Sequence, residues 1–166
     1  MNKASMKARA NRTRDRVFWI GLGVAGAALF IVLLVMAGGE QPPRRGDHWH
    51  ARYAVIICGV PRPQFPPTQG NVHTHGDGVI HIHPQARGET GKNANLRRFF
   101  QSAGVDYARD RIEFPDGTRY RNGDRCPDGS PGTLRLLVNG RPSEAFERYV
   151  PRDRETIVVE FGPLSR

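Results

Sequence analysis

Residues 17–39 form an uninterrupted apolar stretch, VFWIGLGVAGAALFIVLLVMAGG, with no charged side chain. About 20 apolar residues in a helix cross the hydrocarbon core of a bilayer, and Trp19 stands near one end, where interfacial aromatic residues are enriched. The stretch therefore predicts a transmembrane helix. A cleaved signal peptide is the alternative, because Val35-Met36-Ala37 resembles a processing site, but the run is longer than the apolar region of a signal peptide.

The residues before this stretch are strongly basic. Six of the first 16 side chains are Lys or Arg and one is Asp, so +5 of the formal net charge of +9 lies there. Basic flanks stay in the cytoplasm, which places the chain from about residue 41 outside it. We expect a basic cytoplasmic tail at 1–16, a membrane anchor at 17–39, a linker at 40–47 and an extracytoplasmic domain at 48–166.

This distribution of charge also bears on the partners of the protein. The charge left for the exported domain is small and scattered, which argues against nucleic acid as a partner. The membrane itself, crossed once with the N-terminus inside, is the first partner expected, and a protein of the cell envelope is a second. Small residues at 21, 23, 25 and 27 have the spacing that lets two anchors pair as a homodimer.

The two cysteines of the chain, Cys58 and Cys126, both belong to the exported part. Thiols outside the cytoplasm are oxidised, so we predict a disulfide between them. A metal-thiolate role and two free thiols are the alternatives. They are disfavoured because the pair lacks the short Cys-x-x-Cys spacing of metal knuckles and redox motifs.

The residue patterns of the exported part predict several strands and one helix. The runs at 49–58 and 79–83 are rich in β-branched and aromatic residues and predict strands, with a proline-rich loop at 59–70 between them. Further patterns at 111–120 and 134–162 predict a hairpin, then a strand that ends at an Asn-Gly turn, and a last strand.

The helix is predicted within residues 91–105. Leu96, Phe99, Phe100 and Ala103 recur at helical spacing, Asn93 is a candidate N-cap, and Gly104 marks the end. This order of elements predicts an α+β fold in which one helix packs on a mixed or antiparallel sheet. Its arrangement resembles a small β-grasp, or ubiquitin-like, domain.

All six histidines of the chain occur in His-x-His pairs, which are His48 with His50, His73 with His75, and His81 with His83. Residues i and i+2 of a strand point to one face, so each pair sets two imidazoles side by side. Imidazole nitrogen binds Zn(II), Cu(II) and Ni(II), and a site needs three or four ligands. The pairs therefore predict a divalent transition metal site wherever two of them converge.

Convergence depends on the turn between the second and third pairs. With a three-residue loop at 76–78, His73 faces His81 and all four imidazoles share one face, while Val72, Ile80 and Ile82 share the other. With the two-residue Asp-Gly turn, the two pairs point to opposite faces. We favour the three-residue loop, because it alone separates the apolar residues from the histidines.

Other residues refine the metal hypothesis. Asp47 and Asp77 are candidate oxygen ligands or partners that orient the imidazoles. The first pair, His48 and His50, either completes the site or binds separately. The exported part contains no Met, so it offers no thioether for Cu(I), and zinc, copper(II) and nickel are the expected ions.

Three other interpretations use the same histidines. They can be ordinary polar residues bonded to the backbone. They can form a metal-free envelope module for protein interaction or pH sensing, because imidazoles on one face repel when protonated. A small metal-dependent enzyme is the third. It is disfavoured because no general base is evident and because the known hydrolases with a His-x-His motif need further ligands on a longer chain.

Several blocks, GDHWHA at 46–51, HTHGDGVIHIHP at 73–84 and GKNA at 91–94, resemble similarly placed blocks in a set of bacterial single-pass membrane proteins. The resemblance covers most of the chain after residue 46. It implies an anchored domain at the cell membrane and implies no activity, so the functional hypothesis depends on the residues themselves.

Overall fold

The computed structural model describes residues 42–164 of the 166-residue chain. This part is dominated by β-strands and contains one α-helix, as predicted. Three short 3-10 helices (Arg87–Glu89, Gly91–Asn93 and Phe146–Arg148) occur in the connections. The strands are β1 (Trp49–Ile57), β2 (Val60–Pro61), β3 (Val72–His73), β4 (Val79–Ile82), β5 (Asp106–Ala108), β6 (Arg111–Glu113), β7 (Arg119–Arg121), β8 (Thr133–Val138), β9 (Arg141–Pro142) and β10 (Thr156–Gly162), and the helix is α1 (Leu96–Ser102).

The main sheet is mixed and has the strand order β3-β4-β1-β10-β8-β9, with β2 also paired to β1. Its centre is the parallel pair of β1 and β10, in which Val55 pairs with Val159. On the two sides of this pair, β4 lies antiparallel to β1 and β8 lies antiparallel to β10. The first and last strands of the domain are thus joined at the middle of the sheet.

The two faces of the main sheet have different side chains. Along β1, residues Ala51, Tyr53, Val55 and Ile57 are buried and alternate with more exposed neighbours. The same alternation in β4, β8 and β10 collects apolar side chains on one face, where they pack against Leu96, Phe99 and Phe100 of α1. The opposite face is therefore free to carry polar side chains, and the histidines lie there.

The helix is shorter than predicted at its beginning. Asn95, not Asn93, is the N-cap, and its side-chain oxygen accepts the backbone N–H of Arg98 at 3.1 Å. Asn93 instead ends the 3-10 helix Gly91–Asn93, which precedes the fully buried Ala94. Gly104 follows the helix with φ +71°, as predicted for a residue at a helix end.

The predicted hairpins are confirmed, but they do not belong to one sheet. Residues 111–121 form the β6–β7 hairpin, which pairs with β5 in a separate three-stranded sheet. The Asn139-Gly140 turn joins β8 to β9, and both of its residues have positive φ, which is the reason for Asn and Gly there. The single sheet expected from the sequence is thus two sheets.

The predicted disulfide is confirmed, with Cys58 Sγ bonded to Cys126 Sγ across 68 residues of chain. Within residues 42–164, no helix has the length and apolar character needed to span a membrane. The predicted tail and anchor, 1–16 and 17–39, lie outside the described residues. Of the predicted linker, residues 42–47 contact the domain, since Gly46 N donates to Pro84 O at 3.0 Å and Gly91 N donates to Pro43 O at 2.9 Å.

Candidate metal centre

The three His-x-His pairs lie on three adjacent strands, β3, β4 and β1. His73 pairs with His81 across β3 and β4, and His81 pairs with His50 across β4 and β1. Opposed residues of neighbouring strands point to the same face. His48, His75 and His83 lie just outside the strands, each two residues from one of these three, so all three pairs face the same side of the sheet.

The loop between β3 and β4 produces this arrangement. The pairing of His73 with His81 is the register of the three-residue alternative, although residues 74–78 all lie outside the two strands. Gly76 and Gly78 both have positive φ, +82° and +75°, which a residue with a Cβ rarely adopts. Thr74 is fully buried, and its hydroxyl accepts the N–H of Gly76 and donates to Asp77. These two hydrogen bonds hold the loop in place from its buried side.

The six imidazoles form one continuous cluster. The ring centroids of His48 and His83 are 3.7 Å apart, those of His50 and His81 4.8 Å, and those of His75 and His81 4.4 Å. His73 is 5.3 Å from His83 and 5.4 Å from His81. Every histidine therefore has at least one histidine neighbour, which is the convergence that the sequence predicted.

Three of the six histidines each have a ring nitrogen close to those of the other two. His48, His50 and His83 each have a ring nitrogen within 4.8 Å of the nitrogens of the other two. Two nitrogens bound to one tetrahedral zinc are about 3.3 Å apart, since each bond is about 2.0–2.1 Å long. Small side-chain movements are therefore enough to close the group around an ion. His50 is also fixed through its backbone, since its N–H donates to Asp153 Oδ1 at 2.9 Å.

His83 is in the protonation state that a metal ligand requires. Burial lowers the pKa of its imidazole, and the neighbouring rings, with His48 the first of them, lower it further to about 4. The ring is therefore neutral near pH 7. Its Nε2 is buried and has no hydrogen-bond partner among the described residues. A buried polar atom without a partner is costly, so this nitrogen needs an explanation.

The rest of the cluster consists of His73, His75 and His81. Nε2 of His73 is 3.3 Å from Nε2 of His75, and Nε2 of His81 is 2.9 Å from Oδ2 of Asp77. Burial and the adjacent rings of His75 and His81 lower the pKa of His73. The pKa of Asp77, which burial raises, is held down to about 2 by its hydrogen bonds with His81 and the N–H of Val79, so the carboxylate is ionised.

The second predicted carboxylate, Asp47, has a different contact. Its Oδ2 accepts the backbone N–H of Arg44 at 2.7 Å, which closes a turn just before β1. Its role toward the imidazoles stays a prediction, whereas Asp77 contacts a histidine directly. Neither cysteine is a candidate ligand, because both are in the disulfide.

Two supporting residues were not predicted from the sequence. Thr74 shapes the histidine loop, and the only sequence signal for it is its position on the apolar side of the β3 alternation. Asp153 reaches the backbone of His50 from the loop before β10, 103 residues away. A contact at that separation depends on the β1–β10 pairing, which no local pattern reveals.

Comparison with known proteins adds no further constraint. No protein-family model, no curated protein and no solved structure matches this chain. The geometry of the histidine cluster is therefore the evidence from which function is argued.

Proposed function

We propose that this protein is anchored in the cell membrane and that its extracytoplasmic domain binds a divalent transition metal ion at His48, His50 and His83. The single observation that carries the proposal is the convergence of ring nitrogens of His48, His50 and His83 to within 4.8 Å of one another. In addition, the buried Nε2 of His83 has no hydrogen-bond partner among the described residues. An ion at this place supplies the missing partner.

The donor set narrows the choice of ion. Three imidazoles and no thiolate or thioether suit Zn(II), Cu(II) or Ni(II), and they leave a fourth position open for water or an exogenous ligand. His48 and His50 are exposed, so the ion is reachable from solvent. An accessible ion suits delivery or sensing better than a purely structural role, for which closed four-ligand sites are typical.

The strand order supports a β-grasp assignment for the domain. A parallel pair formed by the first and last strands, an antiparallel strand on each side and one helix between the two halves is the arrangement expected of that fold. Folds of this kind host unrelated functions. The assignment therefore describes the scaffold, and the metal proposal depends on the histidines that β1, β3 and β4 carry.

The cellular placement is a separate part of the proposal. The apolar stretch at 17–39, the basic residues before it and the disulfide after it favour an anchor with the domain outside the cytoplasm. An envelope protein that receives the ion is the expected partner, and the spacing of small residues in the anchor favours a homodimer.

The metal proposal is tested with the full-length chain in detergent micelles. Isothermal titration with Zn²⁺ is expected to show binding at a site that the His48→Ala/His50→Ala variant lacks, because two of the three ligands are gone. Arg119→Ala, an exposed change on β7 away from the cluster, is the control and is expected to bind as the wild type does.

If the double variant binds as many Zn²⁺, Cu²⁺ or Ni²⁺ ions as the wild-type chain, and as tightly, the metal proposal is wrong. A metal-free interaction or pH-sensing module then replaces it. That module predicts a conformational change near pH 6 in the presence of a chelator.

The placement in the membrane predicts the outcome of a protease experiment. In spheroplasts of a bacterial host, an impermeant protease is expected to remove an epitope tag fused after residue 166 and to leave a tag before residue 1 intact. Detergent lysis should expose both tags and serves as the control. Protection of the C-terminal tag in intact spheroplasts would contradict the proposed orientation.

A further inference from the structure

The half of the histidine cluster that the first site does not use has its own set of donors. Nε2 of His73 and Nε2 of His75 are 3.3 Å apart. Nε2 of His81 and Oδ2 of Asp77 are 2.9 Å apart. His75 connects these two contacts, since its ring lies 4.4 Å from that of His81. These two pairs of donor atoms are thus neighbours at the β3–β4 loop.

The separations between these atoms match those of donors that share an ion. With metal–nitrogen and metal–oxygen distances of about 2.0–2.2 Å, two ligands at angles between about 90° and 110° lie about 2.9–3.4 Å apart. Both contacts fall in this range. Hydrogen bonds can have the same lengths, so the distances permit an ion and do not by themselves require one.

The position of Asp77 is fixed before any ion binds. Its Oδ1 accepts the N–H of Val79 at 3.1 Å and the hydroxyl of the buried Thr74 at 3.3 Å. This leaves Oδ2 directed at His81. A carboxylate held by its other oxygen loses little conformational freedom on binding an ion. Its negative charge also offsets part of the charge of a divalent cation, which the three imidazoles of the first site cannot do.

We propose that His73, His75, His81 and Asp77 form a second centre for a divalent transition metal ion, so that each chain holds two ions on one face of the sheet. The ion takes the place of the proton between His81 Nε2 and Asp77 Oδ2, and the neutral ring then carries its single proton on Nδ1. This inference rests on the proposed function, because it assumes that the histidine face takes up metals, but it assigns the second ion to different ligands.

The two centres are direct neighbours. His50 of the first lies 4.8 Å from His81 of the second between ring centroids, and His83 lies 5.3 Å from His73. The second centre includes a carboxylate and the first does not, so their affinities differ. An ion that leaves one centre meets the imidazoles of the other, which suits a face that passes ions to a partner.

The experiment counts ions per full-length chain by equilibrium dialysis against Zn²⁺, with far-UV circular dichroism to verify folding. The wild type is expected to hold two ions. The His48→Ala/His50→Ala and His73→Ala/His75→Ala variants are each expected to hold one.

A milder variant keeps the test decisive if the second double variant does not fold. Asp77→Asn keeps Oδ1 for the loop and removes the anionic oxygen, so it is expected to weaken one of the two sites about tenfold to a hundredfold. Asp128→Asn is the matched control, because Asp128 Oδ1 accepts the N–H of Ser130 in a similar turn and no histidine is its partner. It is expected to bind as the wild type does.

Each of the following outcomes rejects the second centre in a distinct way. One ion in the wild type, lost in His48→Ala/His50→Ala and kept in His73→Ala/His75→Ala, leaves the proposed function in place and overturns the second centre. One ion lost in both double variants shows a single shared site. Binding by Asp77→Asn that equals the wild type at both sites also overturns it. No ion in the wild type rejects the proposed function as well.

Discussion

Replacing Cys58 and Cys126 together by alanine is expected to lower the free energy of unfolding by about 4 kcal/mol. The bond spans 68 residues, and a crosslink of that span removes much of the conformational freedom of the unfolded chain. Cys126 is also buried, so a small packing loss adds to the entropic effect. Urea denaturation of both proteins under non-reducing conditions measures the difference.

The segment enclosed by the bridge explains why the effect is large. It contains two of the three histidine pairs, helix α1 and the whole three-stranded sheet. The bridge joins the end of β1 to the loop before β8, so it holds this segment against the centre of the main sheet. Wild-type protein treated with a reductant is the control and should unfold at the same urea concentration as the variant. Equal midpoints for oxidised wild type and variant would contradict the prediction.

A large dependence on the disulfide also has a bearing on where the domain can function. A domain that loses about 4 kcal/mol on reduction loses a large share of the 5–15 kcal/mol typical of folded proteins. Such a domain is best suited to an oxidising compartment. This agrees with the extracytoplasmic placement that the basic tail and the apolar stretch predict.

The arrangement of four histidines could be predicted from the sequence because it depends on local alternation. A one-residue change of register would have moved His73 and His75 to the face that Ile80 and Ile82 occupy. The burial of the two isoleucines therefore fixes the direction of the histidines. The Asp-Gly dipeptide alone predicts the two-residue turn. The alternation of apolar residues and histidines along the whole segment therefore predicted the register better than this short motif did.

The place of the first pair could not be predicted. His48 and His50 approach His83 and His81 because β1 pairs with β4 along its first half, and β1 is held at the centre of the sheet by β10. These pairings join residues far apart in the chain, and no local sequence pattern indicates which strands pair with each other. The sequence left open whether this pair completes the site, and the 3.7 Å contact of His48 with His83 shows that it joins the cluster.

The division of the strands into two sheets was missed for a related reason. The β6–β7 hairpin has a clear local signal in its Pro-Asp-Gly turn, but its strands are only three residues long. Such short strands pair equally well with any suitable neighbour. The neighbour is β5, which follows α1 directly. Because β6 pairs with β5, the hairpin belongs to the three-stranded sheet and not to the main sheet.

Phe161→Ala is expected to lower the free energy of unfolding by about 3–5 kcal/mol, the range for deleting a buried aromatic side chain. Phe161 is fully buried on β10. Its ring lies 5.2 Å from that of Tyr120 in the three-stranded sheet, and its carbonyl accepts the N–H of Cys58 at 2.6 Å. The side chain thus connects the two sheets next to the disulfide.

Gly132 provides a way to verify that the loss comes from this packing. A Cβ on Gly132 would overlap the ring of Phe161, so Gly132→Ala alone is expected to cost about 1–3 kcal/mol through overpacking. In the Phe161→Ala background the overlap is gone and the added methyl group enters the vacated space. The double variant should therefore be no less stable than Phe161→Ala alone.

Urea denaturation of the wild type, the two single variants and the double variant completes the cycle, and a coupling energy of about 1–3 kcal/mol is expected. Gly88→Ala is the control for the loss of glycine flexibility, because a Cβ there meets no atom within 4 Å and Gly88, like Gly132, does not have positive φ, so its effect should be the same in both backgrounds. Additive effects of Gly132→Ala and Phe161→Ala would mean that the close contact between these residues does not determine how the two sheets pack.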